Sequence, residues 1–306
     1  MWCYVEVSME RMLRDKKMIL IFVGPAFILF LAVLVGPMIY GLALSFFSWN
    51  GIAAPQWYGF NNFIYMFTVD TTFPIALKNT LFFVIFSLIT QQLLGLLIAI
   101  ILTNNIKLKN LFKNIYYLPV VLSSAAVGLL WMFIFNPTVG ALNQLLTSIG
   151  LESWTHMWLV ETGGWLPLPL WCIGLVAMWQ YMGSTMMLYM AAIQGIPETL
   201  YEAAYIDGAS RIKCIWYVTL PLIRPMIKIS TVLSCVGSLK FFDLIFTMTA
   251  GGPSHMTEVL ASHLYTQAFK NWNYSYGSAL SVILVILCLL FTFILNKLIK
   301  VENYEM

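Results

Sequence analysis

Residues 201–225 read YEAAYIDGASRIKCIWYVTLPLIRP, a stretch that crowds Glu202, Asp207, Arg211, Lys213 and Arg224 between long apolar runs, with Glu198 just ahead. Acids and bases so close together make a polar, helix-forming island in an otherwise apolar chain. Pro197 suits a first helical turn, and Glu198 there meets the positive end of the helix dipole. Gly208 permits a sharp exit at positive φ. Ser210 can cap a second short helix, which Pro221 and Pro225 bring to an end. Ala203 and Ala204 leave a smooth face that could enter a partner's groove. A connector shielding the ends of two spans would use the same residues, and physics alone leaves both readings open.

A second polar pair lies in SLKFFDLIF. Lys240 and Asp243 are three apart, hence on one helical face, and opposite in sign. Each alone costs about 2.5–3.5 kcal/mol near the centre of a membrane helix. Either they pair with each other, or their face lines a path on which Asp243 accepts hydrogen bonds or closes a gate. Other chemistry finds little support. No G-x-x-x-x-G-K-[ST] loop is present for nucleotide phosphates. The histidines His156, His255 and His263 form no H-E-x-x-H, so metal catalysis is not indicated. Ser184 with an outer histidine would be the weak outline of an intramembrane protease; a small residue beside Gly183 is the ordinary device for close helix packing.

The elements that hold these residues are membrane spans. The chain is 60% hydrophobic and 9% charged, against about 25% charged for soluble domains. Apolar runs near 20 residues mark spans, and six are predicted: Met18–Phe47, Asn79–Thr103, Ile115–Phe135, Leu168–Gln194, about Ile229–Ala250, and Gly277–Asn296. The first is too long for the core of a cleaved signal and is read as a retained helix. Thirteen Lys and Arg fall in the N-terminal segment, the second-to-third and fourth-to-fifth connections and the tail; the opposite loops hold only Lys78 and Lys270. Positive residues stay inside, so both termini are expected in the cytoplasm. The net charge of +3 is then a topology signal and does not indicate nucleic acid. The five cysteines are scattered and predict neither disulfides nor a metal site. Aromatic residues crowd the outer loops, among them Trp49, Trp57, Trp154, Trp158, Trp165, Trp272 and Tyr274. They suit an interfacial belt, or rings that stack on a sugar or dock an external protein. The segment 137–150 is helical in pattern but too short to span, and is expected on the outer surface or folded back. Gln91 and Gln92 in the second span suit hydrogen bonds between helices.

The cytoplasmic stretch resembles the EAA motif of ABC importer permeases: E-A-A, three residues, G, nine residues, then I-x-L-P. Here Glu202, Ala203 and Ala204 precede Tyr205–Asp207, Gly208, nine residues, and Val218–Thr219–Leu220–Pro221; the one departure is Val218 for Ile. IYYLPVVLSSAAVGLLWMFIFNP and FFDLIFTMTAGGP resemble the carbohydrate-uptake, maltose-type branch, and the likeness covers roughly residues 17–300. The resemblance implies an all-α membrane protein of the type I importer permease fold, with six spans and N-in/C-in topology. A cytoplasmic segment 1–17 and tail 301–306 would flank a permease domain 18–300, with its coupling loop at 195–225. It implies that Glu202, Ala203, Ala204, Asp207, Gly208, Leu220 and Pro221 form a coupling helix and its surround, which insert into a separate ATPase. Two such ATPases, which bind the ATP and magnesium, a second homologous permease and an external solute-binding protein would complete a transporter in the bacterial cytoplasmic membrane. This chain itself would hold no cofactor. Spans four to six carry much of the path in that family. Rings stack on sugars and polar groups bond their hydroxyls, so Trp179, Gln180, Tyr181 and Ser184 in MWQYMGSTMMLYMAAIQ are path candidates beside Lys240 and Asp243. Gln180 and Ser184 share one helical face, as do Tyr181 and Thr185; a packing stripe is the competing account. A sugar is expected as substrate. Glycerol phosphate is the alternative within the branch, and a pore working without an ATPase is the alternative outside it.

Overall fold

The computed structural model describes residues 16–104 and 106–300; most of the expected N-terminal segment and the tail 301–306 lie outside them. In chain order the elements are α1 (Lys16–Phe30), a π turn (Leu31–Val35), α2 (Gly36–Leu44), strands β1 (Phe47–Ser48) and β2 (Gln56–Trp57), α3 (Asn61–Thr68) and α4 (Thr72–Thr103). Then come α5 (Lys109–Val121), α6 (Ser124–Ile134), α7 (Ala141–Ser148) and α8 (Leu168–Gln194). The cytoplasmic stretch forms α9 (Glu198–Ile206), α10 (Arg211–Cys214), a π turn (Ile215–Thr219) and α11 (Leu220–Leu222). The remainder is α12 (Arg224–Leu239), α13 (Asp243–Met248), α14 (Leu260–Tyr265), a π turn (Thr266–Lys270) and α15 (Tyr274–Leu298). The chain divides into two compact units, one of residues up to 65 with 267–282, the other of residues 66–266 with 283 onward.

In the first unit, the window marking Leu20–Leu44 as a candidate span buries none of its side chains. Only lipid or another chain can cover so apolar a rod. Its π turn has a local cause. Pro37 has no N–H for an i−4 bond, and the preceding Gly36 N–H reaches back five residues to Leu31 O. The same device recurs in the second unit, where Leu220, just before Pro221, donates to Ile215 O. The all-α expectation needs one small correction, an antiparallel ladder pairing Phe47 with Trp57 and Ser48 with Gln56. Asn62 braces it, donating to Ser45 O and Phe47 O at 2.8 Å each.

The second unit is built on α8, with 14 of its 27 residues buried. α4 lies against it through a stripe at spacing three to four, from Phe73, Ala76, Thr80, Phe83 and Ser87 to Gln91, Gly95, Ala99 and Leu102. The opposite face of α4, with Ile85, Ile89, Leu93, Leu97 and Ile101 each more than half exposed, is equally apolar. A helix greasy both inside and outside is one that lipid surrounds. A Cβ at Gly95 would lie 2.8 Å from Thr185 Cγ2, so the glycine sets how closely the two helices approach. Val84, Cys235 and Leu239 pack with Leu287, Cys288 and Phe291 where α4, α12 and the second half of α15 meet. At the outer end Asp70 accepts from Thr72 N and Phe73 N and pairs with His263 at 2.7 Å, the imidazole being 2% exposed. Asn79 donates to Met256 O and Glu258 O, holding the connection between α13 and α14 against α4.

Among the described residues four stretches are long and apolar enough to cross a membrane: Leu20–Leu44, Thr72–Thr103, Arg224–Met248 and Tyr274–Leu298. The third predicted span is not one straight helix. α5 and α6 meet at 98° and would together make a fifth crossing. Pro119 lacks the N–H that would extend the last turn of α5, and Leu122 and Ser123 are extended (ψ 144° and 131°). The predicted fifth span starts earlier, at Arg224, and is interrupted after Leu239. α8, the predicted fourth, spans roughly 40 Å at about 1.5 Å per residue. Its glutamines, tyrosines, Ser184 and Thr185 lower its apolar character, as suits a helix surrounded by protein.

Candidate functional site

The cytoplasmic stretch folds as short-range rules direct, with one shift: Pro197 is the N-cap, and Glu198 is the first helical residue. Asp207 is the C-cap, and Gly208 follows at φ +77°. Gly208 N donates to Tyr205 O (3.0 Å) and Ala209 N to Ala204 O (2.9 Å). These are the two bonds of a Schellman turn, and only glycine adopts that φ freely. Ser210 Oγ accepts from Lys213 N at 3.5 Å and caps α10. No side chain of α9 is buried, and Ile206 is 86% exposed. Glu202 and Asp207 are exposed, and among the described residues neither has an ion-pair partner. Leu220 and Pro221 are half-buried where the stretch rejoins α12. Tyr201 OH shares a 3.0 Å hydrogen bond with Thr219 Oγ1, tying α9 to the π turn.

The second place of interest is a cavity of about 370 Å³ between α4, α8 and the end of α12. Tyr181, Ser184, Lys240 and Asp243 all line it, with Gln91, Thr185, Phe86 and Phe242. Trp179 does not: it packs into the core and meets Trp131 edge-on at 5.7 Å. Gln180 is 1% exposed and turned away, its Nε2 donating to Leu122 O (3.3 Å) and Ser124 Oγ (3.2 Å). Gln180 thus satisfies backbone freed by the 98° bend, and Tyr181 OH joins it there at 3.0 Å from Ser124 Oγ. The shared strip of Gln180 and Ser184 is therefore divided between two neighbours.

Lys240 and Asp243 also depart from expectation. They flank the interruption between α12 and α13, so no continuous helical face joins them, and among the described residues no ion pair does either. Ser184 Oγ donates to Tyr181 O (2.6 Å) within its own helix, and no histidine lines the cavity. A protease reading has no base to stand on. The serines of α12 are site residues that hydropathy alone does not single out. Ser230, Ser234 and Ser238, spaced by four, face α4 and line the cavity. Ser238 Oγ donates to Ser87 Oγ (2.6 Å), while Gln92 donates to Ser234 Oγ (2.7 Å) and accepts from Ser230 Oγ (3.0 Å) and Tyr189 OH. The i, i+4, i+8 spacing was the available signal.

Close packing positions the cavity wall. A Cβ at Gly183 would lie 2.2 Å from Tyr116 O, a backbone atom of α5, whereas one at Gly237 would meet nothing within 4 Å. Gly183→Ala should therefore cost about 3 kcal/mol and lower the monodisperse fraction in size-exclusion chromatography of the solubilised protein. Gly237→Ala should elute as the unaltered protein does; equal profiles for the two variants would refute this packing account.

Comparison with known proteins bears on both places. Residues 91–300 match the family model described as binding-protein-dependent transport system inner membrane component. The probable ABC transporter permease protein YurN of Bacillus subtilis is 33% identical, the match covering 96% of this chain and all of the relative. The probable starch degradation products transport system permease protein AmyD of Thermoanaerobacterium thermosulfurigenes is 30% identical, over 94% of this chain and 95% of its own. A chain in the crystal structure of a bacterial ABC transporter involved in importing the acidic polysaccharide alginate superposes with a TM-score of 0.81. That chain is 26% identical, and the match covers 94% of this chain and 98% of the other.

Proposed function

Since the chain belongs to the family of binding-protein-dependent transport system inner membrane components, we propose that it forms one half of the sugar pathway in an ATP-driven importer. It is a transporter permease subunit and not an enzyme; the ATPase is a separate component. The observation that carries the coupling role is α9, closed by a glycine turn, bearing unpaired acids and fully burying none of its side chains. A surface that the rest of its own unit leaves uncovered is free for a partner. Two ATPases holding ATP and magnesium would each drag one coupling helix as they close, switching the path between inward- and outward-facing. A homologous permease would supply the other half, and an external binding protein would deliver the sugar. Radiolabelled sugar uptake by the reconstituted assembly tests this: transport that proceeds without ATP would overturn it.

Within the path, the roles fall to Tyr181, Ser184, Lys240 and Asp243. The formal charges of Lys240 and Asp243 cancel, and no further charged side chain lines the cavity. That balance favours a neutral saccharide over a glycerol phosphate, which would call for excess positive charge. Trp179 and Gln180 support the cavity from behind, through Trp131 and the bend at Leu122.

The full reading has six crossings in a bacterial cytoplasmic membrane, with α8 as the fourth and both termini inside. Cysteine at Ile52, which is 91% exposed, should react with an impermeant maleimide in sealed cells, and cysteine at Lys109 should react only after permeabilisation. Labelling of position 109 in sealed cells would reverse the orientation.

A further inference from the structure

The outer loops of the first unit hold a polar recess that transport through the helices does not use. It measures about 330 Å³ and is lined chiefly by Trp49, Asn50, Gln56, Asn271, Trp272 and Asn273. Its walls are fixed. Trp49 Nε1 donates to Ala53 O at 2.6 Å, and the indole rests against Tyr274 at 5.5 Å. Asn50 Oδ1 accepts from Ile52 N and Ala53 N, so its carbonyl builds the turn while its NH₂ is left over. A Cβ at Gly51 would strike the Tyr274 ring at 2.6 Å, so the turn and the ring need each other's shape. Asn271 Nδ2 donates to Gln267 Oε1. The amides of Gln56 and Asn273 and the indole N–H of Trp272 have no hydrogen-bond partner among the described residues.

Trp272 is the telling residue. It is 61% exposed, and its backbone sits at φ +56°, in the left-handed region that bulky residues avoid. A large exposed ring, in contact with Tyr274 at 6.2 Å and carried by a costly backbone conformation, is the kind of outlier that points to a function. A simple interfacial belt asks only that rings lie at headgroup depth; it requires neither a built turn nor convergent amides. Two indoles with several amides and no charge is the chemistry of neutral sugar recognition. The C–H face of a pyranose stacks on an aromatic ring, and amide donors and acceptors meet the hydroxyls around its edge. The volume lies at the lower end of small-molecule pockets, about 300–1,000 Å³, which suits one or two sugar rings.

We propose that this recess is a second saccharide site, taking neutral pyranosides on the outer face without help from the binding protein. Its outward position rests on the orientation given above; its chemistry does not. The test uses the assembled transporter in lipid nanodiscs, without binding protein. Maltotriose, cellotriose and N,N′-diacetylchitobiose serve as probes, with trigalacturonate as the charged control. Saturation-transfer NMR and tryptophan fluorescence read binding. At least one neutral probe should bind and the charged control should not. Trp272→Ala, and separately Gln56→Ala with Asn273→Ala, should weaken that binding by about tenfold or more, while Trp154→Ala, at an exposed ring that does not line the recess, leaves it unchanged. All substituted positions of the recess are exposed, so the variants should assemble normally. Absence of binding by every neutral probe would overturn the proposal, as would binding by both recess variants as tight as that of the unaltered protein. If the variants instead lose only association with the binding protein, the recess is a protein dock and the proposal fails. The import reading fails separately, when no loaded binding protein stimulates ATP hydrolysis, and Trp272-dependent binding would survive that result.

Discussion

Sugar uptake should fall to background when Gly208 is replaced by proline, although the protein still reaches the membrane. Gly208 stands at φ +77° and gives its N–H to Tyr205 O. Proline is locked near −65° and has no N–H, so it loses both the turn and the bond. The chain would leave α9 in another direction, and the docking face would be re-aimed with it. The fold of the spans should survive, because α9 buries none of its side chains. Gly208→Ala is the informative companion. Nothing lies within 4 Å of its would-be Cβ, so the cost is backbone strain alone, about 1–2 kcal/mol, and uptake should be reduced without being lost. Glu202→Lys reverses an exposed charge whose effect on folding should stay within about 0.5 kcal/mol; it should cut co-purification of the ATPase. Membrane level by immunoblot, ATPase co-purification and uptake measure the set. Normal transport by stably expressed Gly208→Pro would remove the coupling role from this turn.

The second large effect is expected in the cavity. Lys240→Met combined with Asp243→Leu should assemble normally yet transport about a hundredfold less, the loss of hydrogen bonds to charged groups being worth about 1.5–3 kcal/mol each. Mutual pairing would have made the double variant a rescue of either single one. With Lys240 capping α12, Asp243 opening α13, and no ion pair joining them among the described residues, no such rescue is expected. Asp243→Asn keeps an acceptor at the cavity wall and should assemble and retain part of the uptake. A double variant with full activity would show that neither side chain serves the path.

The parts of the structure legible in the sequence were those governed by neighbours. Gly208 and Ser210 act over two to five residues, so the turn after α9 and the cap of α10 could be read directly. The bends could not. A break of two residues at Leu122–Ser123 leaves the hydropathy of a 20-residue window almost unchanged, and the group that satisfies it, Gln180, lies 56 to 58 residues away. Helical spacing gave Gln180 and Ser184 a common strip but not the neighbours on either side of it. The interruption at Lys240 separated two charges that an unbroken helix would have set side by side. Most of α8's polar character was visible, but its cause, enclosure by other helices, is a property of the packed fold.

α9 hides none of its side chains, and this has a mechanical consequence. Nine helical residues make a stiff rod about 13 Å long, joined to the rest of its unit at few places. These are the peptide chain running in through buried Ile196 and out through the Schellman turn, and the half-buried Tyr201, whose ring packs against the cluster of Ile193, Ile196 and Ile223 and whose hydroxyl bonds Thr219. With only Tyr201 set among its neighbours there is little side-chain sliding to absorb a push. On the proposed coupling, compliance is therefore concentrated in the joints. The seat of Tyr201 sets the backlash between handle and shaft, so the fidelity with which a closing motor turns the helices depends on how firmly one ring and its hydroxyl are held.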